Sequence, residues 1–64
     1  MHVKIAELLG ESKDSWKEAV NAAVAEGSRT FGKITGVEVL NLTANVQDGR
    51  IVEYKANVKV AYVE

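Results

Sequence analysis

The sequence predicts an α+β domain in the order β-α-β-β, a three-stranded antiparallel sheet wrapped on one helix. Three observations predict it. Two long strand-like runs flank Asp48-Gly49, the strongest short-range hairpin signal, because both turn residues tolerate positive φ. Between Trp16 and Phe31 the apolar residues recur at helical spacing. A short apolar run over residues 2–9 stands ahead of them.

The first element is the strand of residues 2–9, ended by Gly10-Glu11-Ser12 and placed at an edge or beside the hairpin. Ser12 then reads as the helix N-cap, with Asp14 in the first turn, where a carboxylate suits the helix dipole. The helix buries a stripe of Trp16, Ala19, Val20, Ala23, Val24, Gly27 and Phe31. Lys17, Glu18, Asn21, Ala22, Ala25 and Ser28 form its wet side. Gly32 is placed to cap the C-terminus. Gly27 costs about 1 kcal/mol relative to alanine inside a helix, so it marks a close approach, to the hairpin or to a helix of another subunit.

In the hairpin, a two-residue loop pairs Val46 with Ile51, Val39 with Val58, Val37 with Val60 and Thr35 with Tyr62. Side chains alternate between faces. One face therefore carries Val37, Val39, Val52, Tyr54, Ala56, Val58, Val60 and Tyr62, an apolar wall. The other carries Gly36, Glu38, Lys55, Asn57 and Lys59, together with Leu40 and Leu42. Those leucines imply either a bulge near Asn41 or coverage of that face by another chain, and the second is expected. Glu38 faces Lys59 as a cross-strand charge pair or as a polar group lining a ligand pocket.

Length argues for association. The 64 residues make one domain, residues 1–64, with no cysteine to staple it. Burial at about 25 cal/mol per Å² barely offsets an ordering cost of roughly 1.5 kcal/mol per residue in so short a chain. Strands of fifteen residues would span roughly 45 Å, whereas a nineteen-residue helix reaches about 28 Å. Part of the wall and the open strand edges need a neighbour.

Charge and motifs exclude several roles. Eight basic and nine acidic residues are well mixed, for a net charge of −1, so no basic stripe supports nucleic-acid binding. The start MHVKIAELLGE is too short and too charged for a membrane span or signal peptide, and the lack of cysteine agrees with a cytoplasmic location. Neither a Ser/His/Asp arrangement, a phosphate loop nor a paired-acid motif is present, so the chain is not expected to be an enzyme. His2, alone near the terminus, is a surface or strand residue rather than a metal ligand. Trp16, Tyr54 and Tyr62 fall on apolar faces and read as core or interface.

The order of elements and several local runs resemble the dodecin family. The resemblance rests on Leu8-Leu9-Gly10-Glu11-Ser12 leading into Ser15-Trp16-Lys17-Glu18-Ala19, on Val37-Glu38-Val39, and on Glu53-Tyr54-Lys55 with Val58-Lys59-Val60-Ala61-Tyr62. It covers essentially the whole chain. It implies a hollow homododecamer with helices outside and sheets facing a central cavity, a non-enzymatic shell that binds and stores flavins such as riboflavin or FMN.

The chain departs from the family pattern where the ligand binds. The resemblance puts the flavin-stacking tryptophan two residues before the glutamate of the long strand, where this chain has Gly36. The glutamine that bonds the flavin's polar edge corresponds to Lys55, and a third position, near the ribityl chain, to Asn41. The positions matching the family flavin site are thus Gly36, Glu38, Asn41 and Lys55. Stacking contributes roughly 0.5–1.5 kcal/mol beyond burial, and lysine offers donors only. Flavin binding is therefore expected to be weak or absent. Two alternatives stand: a flavin site on another platform such as Leu40 and Leu42, or calcium held by oxygens of Asn41, Asn45, Asp48 and Glu53 from several subunits, a cation that the resemblance allows because a calcium-binding branch of dodecins also lacks the tryptophan.

Overall fold

The computed structural model describes residues 2–64; Met1 lies outside them. The chain forms β1 (Val3–Ser12), α1 (Trp16–Phe31), β2 (Lys33–Gln47) and β3 (Arg50–Val63). All pairings are antiparallel and the sheet order is β1-β3-β2, so the last strand is central. Asp48 at φ 54° and Gly49 at φ 76° make the tight turn between β2 and β3, the left-handed pair that matches the twist of a hairpin.

The helix lies on one face of the sheet and buries the stripe expected of it. Ala19, Ala23 and Gly27 are buried, and Trp16, Val20, Val24 and Phe31 are half-buried. Small residues along the contact let the backbone approach closely. A Cβ on Gly27 would stand 3.1 Å from Leu8 Cδ1 and 3.3 Å from Ile34 Cδ1, so this glycine serves helix–sheet packing within the chain. Beneath it Ala56, Val58 and Val60 of β3 are fully buried and complete the core. Full burial of a valine contributes about 1.5–3 kcal/mol. Aromatic pairs pin both ends of the helix: Trp16 meets Tyr54 edge-on at 4.9 Å, and Phe31 stacks on Tyr62 at 4.8 Å.

Two boundaries differ from expectation. β1 does not stop at Gly10 but pairs with β3 through Ser12. Gly10 is buried there, and a Cβ on it would lie 1.9 Å from the Ala19 carbonyl oxygen. It is a close-approach glycine rather than a break. The helix in turn starts at Trp16, with Ser15 as its N-cap accepting from the Glu18 amide at 3.0 Å. Ser15 and Glu18 have the spacing of a capping box. Ser12 instead accepts from the amides of Asp14 and Ser15, at 2.9 and 3.4 Å, and shapes the turn before the helix. His2 precedes β1, and its carbonyl accepts from the Glu64 amide at 3.3 Å.

The hairpin register carries three bulges. Val46–Ile51, Val39–Val58 and Val37–Val60 pair as expected, but Thr35 is an extra residue and Ile34 takes its place opposite Tyr62. A second shift between Val39 and Asn41 leaves Leu40 extra, so Leu42 pairs with Ala56. Cross-strand partners share a face. Leu42 therefore lies on the helix side and not among the polar residues, and the bulge accounts for it without a covering chain. The third shift leaves Val52 extra near the turn. An extra residue raises local twist and bends the strand, and the molecule extends over 49 × 18 × 13 Å. A helix of sixteen residues covers about 24 Å of that length, so the tip of the hairpin projects past it.

Candidate ligand-binding site

The face of the sheet away from the helix is built from rows of three facing residues, one from each strand. Register places Ile5, Ala61 and Gly36 in one row and Glu7, Lys59 and Glu38 in the next. Beyond these come Leu9, Asn57 and Asn41, then Glu11, Lys55 and Thr43. The first two rows form an open hollow of about 410 Å³ lined by Ile5, Gly36, Val37, Glu38, Lys59 and Ala61. Gly36 and Ala61 give it a floor without large side chains. Ile5, 60% exposed, bounds one side, and Glu38 and Lys59 supply the polar edge.

Gly36 is not required by its backbone. Its φ is outside the left-handed range that Gly32 and Gly49 occupy, and a Cβ there would meet only the Ala61 Cβ, at 4.0 Å. The strand can carry a side chain at this position, and this sequence has none.

Of the four candidate residues, the chain brings two together. Gly36 and Glu38 both line the hollow. Asn41 stands one row beyond Glu38 and accepts from Asn57 Nδ2 at 2.8 Å, which uses its side-chain oxygen within the sheet. Lys55 shares the face with Gly36, as expected, but its row is six residues along β3 from Ala61, about 20 Å at strand rise. One copy of the chain cannot bring Lys55 to a ligand resting on Gly36.

Other expectations also find their place. Glu38 and Lys59 are cross-strand partners, yet the ion pairs among the described residues are Lys4–Glu64 and Glu26–Arg29. The pair is in register without forming a salt bridge. Trp16 sits far from the hollow, on the helix side, with Nε1 donating to the Thr43 carbonyl at 2.8 Å. Leu42 is on the helix side too, which removes it as a ligand platform on the outer face. Among the described residues no cluster of three or more His, Cys, Asp or Glu is arranged to hold a metal ion, and no helix is long and apolar enough to cross a membrane.

Sequence reasoning missed Ile5 and Ala61. The turn fixes β3 against β2, but nothing local fixes β1 against β3. Alternation of Val3 and Ile5 with Lys4 points the two apolar residues at the core, the reverse of their place on the exposed face. Only the pairing of β1 with β3 locates Ile5.

Comparison with known proteins agrees with this architecture. The dodecin family model matches residues 3–64. A dodecin from Streptomyces coelicolor superposes with a TM-score of 0.91 at 26% identity, over 98% of this chain and 91% of that one. An arginine-to-alanine variant of the Thermus thermophilus dodecin gives 0.90 at 25% identity, over 98% and 96%. The dodecin of Streptomyces davaonensis, at 20% identity, shares the fold with a TM-score of 0.90 over 95% and 90%. No curated protein sequence matches the chain. With the family match running along nearly its whole length, the chain belongs to the dodecin family.

Proposed function

We propose that this chain is the subunit of a non-enzymatic, cytoplasmic homododecameric shell that binds small molecules, in which the family's flavin site is degraded. The observation that carries the reading is the floor of the hollow, where Gly36 faces Ala61. A flavin ring resting there meets no aromatic partner. It loses stacking of roughly 0.5–1.5 kcal/mol together with the 150–250 Å² that a large aromatic side chain would bury against it. Riboflavin and FMN accordingly bind weakly or not at all. Lys55 enters the site only from a second copy, which makes the pocket a property of the assembly.

The test is a riboflavin and FMN fluorescence titration on protein sized by light scattering in the same buffer. The wild-type chain should quench little at micromolar protein. Gly36→Trp, which the backbone accommodates, should tighten binding by at least tenfold. Micromolar or tighter binding by the wild-type chain would overturn the degraded-site reading, and a monomer or trimer in solution would overturn the shell.

A further inference from the structure

We infer that the hairpin tip is a self-modification site: Asp48 converts to isoaspartate through the Gly49 nitrogen, and the conversion unzips the tip while leaving the core in place.

The tip leaves both reacting groups free. Asp48 and Gly49 are exposed, and the Asp48 carboxylate takes part in no hydrogen bond or ion pair among the described residues. The turn closes through Gln47 and Arg50, so the Gly49 amide stands outside the ladder and has no backbone partner. No atom lies within 4 Å of where a Gly49 Cβ would be, so nothing crowds the nitrogen. Asp48 is also the one non-glycine residue with positive φ among those described. An L-residue holds that conformation at a cost and leaves it when the pairing around it loosens.

The other side chains capable of this chemistry are held. Of the two aspartates, Asp14 precedes Ser15, whose amide donates to Ser12 Oγ at 3.4 Å and whose side chain caps the helix. Asn21, Asn41, Asn45 and Asn57 lie inside the helix or the strands and precede Ala22, Leu42, Val46 and Val58, where ladder bonds and side chains obstruct attack.

The Gly49 nitrogen attacks the carboxyl carbon of protonated Asp48. A ring closes as the new N–C bond forms, the C–OH bond breaks, and the hydroxyl leaves with the amide proton as water. Water then reopens the ring. Addition at the side-chain carbonyl restores aspartate, whereas addition at the main-chain carbonyl leaves Gly49 joined through the former side chain. Composition is unchanged, but the main chain gains one atom. The two-residue loop then no longer fits the twist of the hairpin. Its two flanking pairs, Gln47–Arg50 and Val46–Ile51, end at the bulge at Val52. They lie past the helix, and Val46 and Ile51 are 65% and 44% exposed, so they separate without disturbing Val58 or Val60.

The experiment ages the purified protein in warm neutral buffer and maps isoaspartate by tryptic digestion, which releases residues 34–50 as one peptide. A methyltransferase specific for isoaspartate marks the product, which has the mass of the parent peptide and a different retention time. Isoaspartate at Asp48 should exceed that at Asp14 by about tenfold or more, since a projecting tip opens at little cost. Asp48→Asn, which tolerates the same backbone, loses ammonia in place of water and should convert faster. Asp48→Gly keeps a hairpin turn and should abolish the product. In the converted protein, amide exchange at Val46 and Ile51 should quicken by about tenfold or more, with Ala56, Val58 and Val60 unchanged. If Asp48 stays intact while the free 34–50 peptide converts, or if Asp14 converts as fast, the modification site is overturned. Conversion that leaves exchange at the tip as it was would overturn the unzipping.

Discussion

The two strands of the hairpin are alike in length, fifteen and fourteen residues, and both carry a row of valines, yet their fates differ. β3 buries Ala56, Val58 and Val60 completely. β2 buries none of its residues, and Val37, Val39, Leu40, Leu42 and Val46 are 39–65% exposed. Val58 and Val39 are direct cross-strand partners on one face, yet the first is sealed and the second is 44% exposed. Place in the sheet decides this, not side-chain chemistry. β3 has a strand on each side and the helix above it, whereas β2 is an edge strand that the helix barely reaches. An apolar edge of this length is an association surface unless something covers it, and in the proposed shell a neighbouring copy would do so.

The largest effect should come from the covered side. At Gly10 any side chain meets the Ala19 carbonyl oxygen of the helix backbone, and backbone cannot move aside as a flexible side chain can. Gly10→Val should cost more than the usual 1–3 kcal/mol (about) of overpacking and push the helix off the sheet. Loss of the cooperative thermal transition, or of soluble protein, is the expected outcome. A variant that melts within a few degrees of wild type would show that the helix is not seated on β1 as described.

Val58→Ala and Val39→Ala measure the contrast itself. Truncating the buried valine should cost about 2 kcal/mol. Truncating its exposed partner should cost about 0.5 kcal/mol or less in a separated subunit. Denaturant titrations above and below the association concentration distinguish the two states. If the edge of β2 is covered on assembly, the Val39 penalty should rise toward that of Val58 at high concentration. A penalty that stays small at every concentration would mean that β2 remains wet and that contacts lie elsewhere.

What was legible in the sequence follows the range of the interactions involved. The Asp48-Gly49 turn and the stripe from Trp16 to Phe31 are local, and both appear in the structure as read. The bulges at Thr35 and Val52 were not legible, because alternation can be counted in sequence but an extra residue shows only once a partner strand is present. The one at Leu40 was legible as a bulge near Asn41, the alternative set below coverage by another chain. Leu42 was therefore assigned to the wrong face. Gly10 was misread because glycine signals a break and a close approach by the same letter, and only the position of Ala19 distinguishes them. In the hollow, Gly36 and Glu38 were found through their motif, whereas Ile5 depended on a non-local pairing with no turn to set it.

The smallest effect, and the finest division of the two sides, concerns the serines before the helix. Ser15 accepts from the Glu18 amide and so satisfies a donor that the first helical turn leaves without a partner. Ser12 accepts only from the amides of Asp14 and Ser15 in the turn, which water can reach. Ser15→Ala should therefore cost about 1 kcal/mol, a fall of roughly 4–8 °C in Tm for a domain of this size. Ser12→Ala should cost less than half as much, because its turn amides exchange a serine oxygen for water. Equal shifts in the two variants would return the cap to Ser12 and move the start of the helix back toward Lys13. A larger shift at Ser15 alone keeps the first turn at Trp16, which is what aims its indole N–H at the Thr43 carbonyl of β2 and gives the exposed strand one of its few ties to the helix.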